Sequence, residues 1–388
     1  MRIVACTLRD FRCYEEARVS LGDGLTVVSG PNGAGKTNLL EALYFGSTGR
    51  SCRTANEREL VRFGASATRV ELEARDEDGV HQFTVGLAPG EAKRIKVDGA
   101  AVDRLLDVSV RPLVSVFLPD RLELVKGPPS VRRAHLDQFV AAMWPTRVAT
   151  RRAYAQALAQ RNALVARLRG GGGSPESLRT WDMQLARHGI ELMADRAAAS
   201  EAVAGRFAQL GMELGVEAEL ELVYRPRSLA TQPEELAAEL SERVETDLAR
   251  GFTSHGPHRD ELALRRGGRE LRAFGSQGQQ RLALLALLLA EREALAEHRG
   301  AVPLMLLDDV MSELDQERRR ALVERLRRSG GQAVITSTDL EHVPGGRDAG
   351  VARIAVAAGR ILQEASQMTP RRPNQADEDG ERAATGRA

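Results

Sequence analysis

The chain has 388 residues, is 43% hydrophobic and 4% aromatic, and carries a formal net charge of +1. That length allows two or three domains, and the apolar fraction allows a sizeable core built mainly from Leu, Val and Ala. The near-zero charge excludes a uniform polycation, so any nucleic-acid site must come from local patches.

The first 128 residues read as mixed β and α. Apolar or alternating runs predict strands at Ile3–Leu8, Leu25–Ser29, Val70–Ala74, Gln82–Leu87 and Val110–Phe117. "DGV" at 78–80 and "DG" at 98–99 predict hairpin turns. A helix is expected from Gly35 to about Phe45. From Pro129 to about Leu210 the texture becomes long helices, divided by "GGGGSPES" at 170–177. Leu178, Trp181, Leu185, His188 and Leu192 recur at spacings of 3 and 4, one seam of a helix pair. A further helix is expected over Pro233–Arg250. Beyond 251, helices over Gln277–Ala296 and Gln316–Arg328 alternate with strands in "PLMLLDD" and "QAVITS", and "RIAVAAGRIL" predicts a terminal hairpin. The run "LALLALLLA" at 282–290 fits a buried helix and falls short of the ~18 residues of a membrane span. From Gln367 the Pro- and charge-rich tail is expected to be disordered. The economical domain reading is one sheet-based unit built from 1–128 plus 251–366, with a helical arm over 129–250 and a tail over 367–388.

Only four of the 55 basic residues are lysines, and one, Lys36, sits in "GPNGAGKT" at 30–37. These residues, Gly30, Pro31, Asn32, Gly33, Ala34, Gly35, Lys36 and Thr37, match G-x-x-x-x-G-K-[ST] between a strand and a helix. Glycines let backbone N–H groups converge on phosphate oxygens, and the helix adds its positive end. Lys36 is assigned to the β- and γ-phosphates and Thr37 to Mg²⁺; Asn38 follows on the same turn. "LMLLDD" then supplies the acidic partner: Asp308, leaving a doubly buried strand, as Mg²⁺ ligand, and Asp309 to polarise water. "FGSQGQQRLALL", from 274, opens a long apolar helix with Ser276, Gly278 and Gln279, a second anion-binding end. Two such ends make sense when one subunit closes over the nucleotide of another.

In this order, phosphate loop, Ser-x-Gly-Gln signature, Leu-Leu-Asp-Asp strand and Ser312-Glu313-Leu314-Asp315 resemble an α/β, ABC-type P-loop ATPase head of the SMC/Rad50-like kind, with an inserted mostly helical lobe. Most closely they resemble the RecF family of bacterial recombination mediators. "LRDFRCYEEA" at 8–17, "GRSCRTANERELVRFG" at 49–64, "VFLPDRLELVKGPPSVRRAHLD" at 116–137 and "HGPHRDEL" at 255–262 carry this further resemblance. It implies ATP and Mg²⁺ binding, an ATP-dependent homodimer, and DNA binding at single-strand gaps. It also implies action with RecO and RecR to load RecA, in gap repair, replication-fork maintenance and SOS induction. By the same resemblance Ser276 and Gly278 reach the partner's γ-phosphate, Asp315 lies at the dimer seam, and Arg12 reaches nucleotide phosphates. Two departures from the wider ABC pattern stand out. The general base is Asp309 where Glu is usual. Thr336, Ser337 or Thr338 takes the place of a histidine after the following strand, Thr338 being the candidate carried into the site. Both predict slow hydrolysis that times dimer dissociation, and the expected activity is a weak, DNA-stimulated ATPase used as a switch. The glutamine-loop candidate is the stretch around Pro119 and Asp120.

Residues 129–170 hold eight arginines and one acidic residue, a local charge of +7, whereas 171–250 hold eight arginines and fifteen acidic residues, or −7. Arg132, Arg133, Arg147, Arg151 and Arg152 are candidates to track DNA phosphates. The competing readings are a solvated helix face, or a basic helix paired with its acidic neighbour. His255 and His258 lack the spacing of metal ligands and read as polar loop residues. Cys6, Cys13 and Cys52, with no C-x-x-C, support neither zinc nor disulfides and are expected to be reduced thiols in a cytoplasmic protein. No basic start followed by an apolar core opens the sequence, so no signal peptide is expected, and no apolar run suggests a membrane partner. The resemblance implies association with the nucleoid.

Overall fold

The structure, a computed structural model, describes residues 1–108, 110–118 and 122–363. The chain opens with strands β1 (Arg2–Phe11), β2 (Tyr14–Ser20) and β3 (Leu25–Ser29), then helix α1 (Lys36–Thr48). Strands β4 (Thr68–Arg75), β5 (Val80–Leu87), β6 (Arg94–Val97), β7 (Ala100–Ala101) and β8 (Val114–Phe117) follow. The middle holds helices α2 (Glu123–Lys126), α3 (Pro129–Met143), α4 (Val148–Arg169) and α5 (Leu178–Glu213). Strand β9 (Leu220–Arg225) precedes two short helices, α6 (Pro233–Ser241) and α7 (Val244–Arg250). Next come β10 (Glu261–Arg266), β11 (Arg269–Glu270), α8 (Leu271–Phe274) and α9 (Gln277–Arg299). The last elements are β12 (Leu304–Leu307), α10 (Gln316–Arg328), β13 (Ala333–Ser337), β14 (Ala352–Ala357) and β15 (Arg360–Gln363).

The described strands form three sheets. One is a meander in the order β2-β1-β4-β5-β6-β7, antiparallel throughout, whose turns fall at the expected "DGV" and "DG". The second has the order β15-β14-β3-β13-β12-β8 and is parallel except for the β14–β15 hairpin. Its strands are doubly covered: Leu304 to Leu307 and Ala333 to Ser337 are buried at every position, as parallel strands between two helical or sheet layers require. One face packs on α1, which is clamped against the antiparallel sheet through Leu39, Leu40, Leu43 and Phe45. Gly46 permits that approach, since a Cβ there would lie 2.7 Å from Leu72 Cγ. The other face packs on α9, where every residue from Leu282 to Ala290 is buried, matching the buried-helix expectation. Among the described residues no helix is long and apolar enough to cross a membrane.

The helical arm is an α4–α5 hairpin with α6 packed on α5. Leu178, Leu185 and Leu192 of the expected seam are buried, and Trp181 and His188 half-buried. Beneath the seam, fully buried Arg161 bonds Asp182 (2.6 Å), Asp247 (2.6 Å) and Thr253 (2.8 Å). Two expectations need correction. Pro233–Arg250 is not one helix: it breaks at Glu242–Arg243 into α6 and α7. The expected helical arm at 129–250 also holds a strand the periodicity does not predict, β9, which pairs antiparallel with β10. The tail at 367–388 and the glutamine-loop candidates Pro119 and Asp120 lie outside the described residues.

Candidate nucleotide site

Parallel strands deliver their C-terminal ends to one edge, and the site is built there. Ser29 of β3 lies opposite Ser337 of β13, and Leu307 of β12 opposite Ile335. Hence Gly30 leaves the sheet level with Thr338, and Asp308 leaves it level with Thr336. Gly30, at φ +156°, has no room for a side chain: a Cβ would lie 2.1 Å from Val356 O. At Gly35 (φ +117°) a Cβ would lie 2.8 Å from Cys13 Sγ and 2.9 Å from Tyr14 Oη, and the Tyr14 hydroxyl donates to Gly35 O at 2.9 Å. Helix α1 begins at Lys36 with no side-chain cap and no acidic residue in its first turn, which leaves its positive end open to an anion.

Lys36 Nζ donates to Gly30 O (2.7 Å) and Pro31 O (3.0 Å), curled back into the loop. Burial pulls its pKa below the ordinary lysine value, and Asp309 and Asp308 oppose that pull. Thr37 Oγ1 donates to both carboxylate oxygens of Asp308, at 3.0 and 2.9 Å. Thr336 Oγ1 donates to Asp308 Oδ1 at 2.7 Å and accepts the Asp309 N–H at 2.8 Å. Burial raises the Asp308 pKa, against the lowering influence of the two threonine hydroxyls. A buried carboxylate touching a hydroxyl, beside an anion-ready loop, fits Mg²⁺: the ion takes few protein oxygens and completes its shell with phosphate and water. Asp309 is held at φ +43° by its N–H bond to Thr336 and by Ser312, whose hydroxyl donates to Asp309 Oδ2 at 2.9 Å. The cleft enclosed has a volume of about 970 Å³, room for a nucleoside triphosphate.

Arg12 also lines this cleft, at φ +54°, with a two-point bond to buried Glu41 (2.8 and 2.9 Å). Three participants escaped sequence reading. Glu41 also accepts from Ser51 Oγ (2.6 Å) and Arg53 Nη1 (3.4 Å), and Arg53 bonds Asn38 Oδ1 at 2.9 Å. Ser51 and Arg53 both come from "GRSCRT" at 49–54.

The signature lies elsewhere in the chain. Ser276 caps α9 in a reciprocal pair: its hydroxyl accepts the Gln279 N–H (3.3 Å) and its N–H donates to Gln279 Oε1 (2.9 Å). That occupies the Gln279 side chain, so the exposed groups left for an anion are Ser276 and Gly278. They line a depression with Gly215, Arg266 and Arg318, apart from the residues of the phosphate-loop cleft.

A family model described as the RecF/RecN/SMC N terminal domain matches residues 2–349. The "DNA replication and repair protein RecF" of Anaeromyxobacter sp. is 40% identical over 350 residues, covering 87% of this chain and 93% of the relative. That of Myxococcus xanthus is 37% identical over 383 residues, covering 95% and 99%. The chain belongs to the RecF family. A solved structure described as the recombination mediator protein RecF-ATP in the RecFOR pathway superposes with a TM-score of 0.81 at 28% identity, covering 94% of this chain and 98% of that one. An SMC head bound to the C-winged helix domain of ScpA shares the fold, with a TM-score of 0.59 at 16% identity over 95% of this chain and 98% of that one. The ABC-type, SMC-like head expected from the motifs is thus the fold of this RecF-family chain.

Several candidate residues fall outside the cleft. Thr338 is exposed, its hydroxyl 3.5 Å from His342 Nδ1; from β13 it is Thr336 that lines the cleft. The arginine patch needs correction. Arg132 is buried and bonds Glu261 twice (2.7 and 3.0 Å) and Gly127 O (2.7 Å), so it braces α3 against β10 rather than facing solvent. Arg133, half-buried, donates to Asp260 O at 2.7 Å, and burial lowers its pKa. Arg147 pairs with Asp195 (2.8 Å) and stacks over Trp144, and Arg151 lies 3.4 Å from Asp137. Arg151 and Arg152 stay exposed. Arg147 thus pairs with the neighbouring helix α5, whereas Arg132 and Arg133 are held at Glu261 and Asp260 and Arg151 lies against α3. Burial lowers the His258 pKa to about 4; its ring sits between Tyr154 Oη (2.8 Å) and Thr253 O (2.9 Å).

Proposed function

We propose that the chain is an ATP-dependent, DNA-binding recombination mediator that dimerises on ATP with two nucleotides sandwiched between copies. The observation that carries this reading is the separation within one chain: the phosphate loop and Asp308 line one cleft, and exposed Ser276 and Gly278 line another depression. In the assembly the loop N–H groups and Lys36 hold the phosphates, and a second copy's signature closes the γ-phosphate side. Mg²⁺, held by Thr37 and Asp308, would neutralise charge on the β- and γ-phosphates. Asp309 orients the attacking water. Its reach is one methylene short of glutamate, and no histidine leaves β13 beside it, so hydrolysis is slow and resets the dimer. DNA at single-strand gaps and junctions stimulates that step, and with RecO and RecR the dimer promotes RecA loading in gap repair, fork maintenance and SOS induction. The relatives' name and the RecFOR description of the solved neighbour support this part.

Light scattering with and without ATP tests the reading. Wild type is expected to double in mass with ATP, and the Lys36→Met and Ser276→Arg variants to stay monomeric. A monomer at saturating ATP, or a Ser276→Arg dimer, overturns it.

A further inference from the structure

Glu41 is the one acidic side chain of α1, and it is fully buried. It stands one turn beyond Thr37 on the same face of the helix, so the backbone sets its distance from the phosphate loop. A buried carboxylate must be paired, and both oxygens of this one are engaged. Oε2 accepts from Arg12 Nε (2.8 Å) and Arg53 Nη1 (3.4 Å), and Oε1 from Arg12 Nη2 (2.9 Å) and Ser51 Oγ (2.6 Å). Ser51 Oγ in turn accepts the N–H groups of Arg53 and Thr54, at 3.0 Å each. Three segments therefore meet on one carboxylate: the β1–β2 turn with Arg12 at φ +54°, helix α1, and the loop that follows it. Arg12, Asn38 and Arg53 line the nucleotide cleft, whereas Glu41 and Ser51 do not.

We propose that Glu41 is a positioning residue for ATP, holding the Arg12 and Arg53 guanidiniums as one preorganised set of donors beside the phosphate loop. The inference rests on the nucleotide-site reading above. An arginine carries five N–H donors in a fixed fork. Arg12 turns Nε and Nη2 to Glu41, which leaves Nη1 directed elsewhere; half-exposed Glu59 lies 3.8 Å from it, beyond hydrogen-bond reach. Arg53 gives Nη1 to Glu41 and to Asn38 Oδ1 (2.9 Å), and among the described residues no hydrogen bond engages its Nε or Nη2. The Arg53 charge also reaches the metal end of the cleft. Burial raises the Asp308 pKa, the Thr336 and Thr37 hydroxyls lower it, and after the opposing charge of Asp309 comes Arg53, which lowers it. Two arginines set against Glu41 and Glu59 leave no excess charge at this wall. Its attraction for a triphosphate therefore comes from donors held in place rather than from net charge. A mobile arginine loses rotamer freedom when it grips a phosphate; Glu41 imposes that order before the nucleotide arrives, so binding does not incur the loss again.

The test is binding of a fluorescent ATP analogue by the full chain, with steady-state ATP hydrolysis and thermal melting measured in parallel. Glu41→Gln keeps the size of the side chain and removes the two-point ion pair. It is expected to weaken binding about tenfold and to raise KM to match, with kcat at saturating ATP within about threefold of wild type. Ser51→Ala removes one bond to the carboxylate at a residue outside the cleft; it should weaken binding about threefold, with little further loss in the Glu41→Gln background. In a chain carrying Arg12→Ala and Arg53→Ala, Glu41 is left buried without its cations, so the melting temperature falls. Adding Glu41→Gln to that chain should restore part of the melting temperature and none of the ATP affinity. If Glu41→Gln and Ser51→Ala lower the melting temperature but leave Kd and KM at wild-type values, the ion pair is only structural and the proposal is overturned. Affinity that recovers together with melting temperature in the triple variant also overturns it. Should Glu41→Gln fail to fold, Ser51→Ala decides alone, and unchanged binding overturns the proposal. A wild type that binds no ATP overturns the nucleotide-site reading as well.

Discussion

Replacing Thr336 with valine keeps the shape of the side chain and removes two hydrogen bonds: the one to Asp308 Oδ1 at 2.7 Å and the one from the Asp309 N–H at 2.8 Å. Thr336 is fully buried, so water has little access to replace them. A hydrogen bond to a charged group contributes about 1.5–3 kcal/mol, and stranding a buried amide costs about 1–3 kcal/mol. Partial local relaxation reduces the sum, and a net loss of roughly 2–4 kcal/mol at pH 7.5 is expected. The sign with pH follows from Asp308, whose pKa burial already raises. A carboxyl with a raised folded pKa contributes most stability below its unfolded value and loses it as pH rises through the folded value. Valine raises that pKa further, so the gap between variant and wild type is widest near neutrality and narrows as Asp308 is protonated. Mg²⁺ affinity measured with a fluorescent ATP analogue should fall by about 10–100-fold, the usual consequence of removing a bond that orients a ligating carboxylate. Urea melts at several pH values and Mg²⁺ titrations supply both numbers. A stability gap independent of pH, together with unchanged Mg²⁺ affinity, would refute the placement of Thr336 behind the metal ligand.

Asp309→Asn should bind ATP normally and form a dimer outlasting that of wild type, seen as slow mass decay after ATP removal; unchanged decay would mean the dimer is a clamp without turnover. His258, with its pKa lowered to about 4, should contribute roughly 3 kcal/mol above pH 6.5, lost as pH falls toward 4. His258→Gln should flatten that part of the stability profile relative to wild type, and an unaltered slope would mean that the histidine is not buried neutral. If the arm holds DNA, Arg151→Ala with Arg152→Ala should reduce the slope of log affinity against log salt by about 2 on duplex DNA. Arg132→Ala should instead lower the melting temperature, because it leaves Glu261 without its two-point partner.

The site was legible where chemistry is written locally. Eight consecutive residues specify the phosphate loop, and four apolar residues before Asp308 specify a strand buried on both faces. Helix α10 follows its expected bounds because Asp315 caps it, accepting the Arg318 N–H, and its apolar stripe is regular. Interactions between distant parts of the chain were not legible. Strand β9 pairs with a strand some forty residues on, so "LELVYR" carries no local sign of its partner. Arg132 looked like a DNA contact because Glu261 is 129 positions away. The same holds for Thr336 over Thr338: only the register of β13 against β12 shows which hydroxyl meets Asp308. The break between α6 and α7 leaves no proline or glycine signal, since Glu242 and Arg243 are ordinary helix formers.

The central claim, that each hydrolytic site joins one copy's phosphate loop to another copy's signature, is tested most directly by mixing two inactive variants. A Lys36→Met chain retains an intact signature, and a Ser276→Arg chain retains an intact loop. Their mixed dimer assembles one complete site from the two intact halves. ATP hydrolysis is expected to reappear on mixing and to peak at equal proportions. A mixture as inactive as either variant alone, at concentrations where wild type dimerises, contradicts the account.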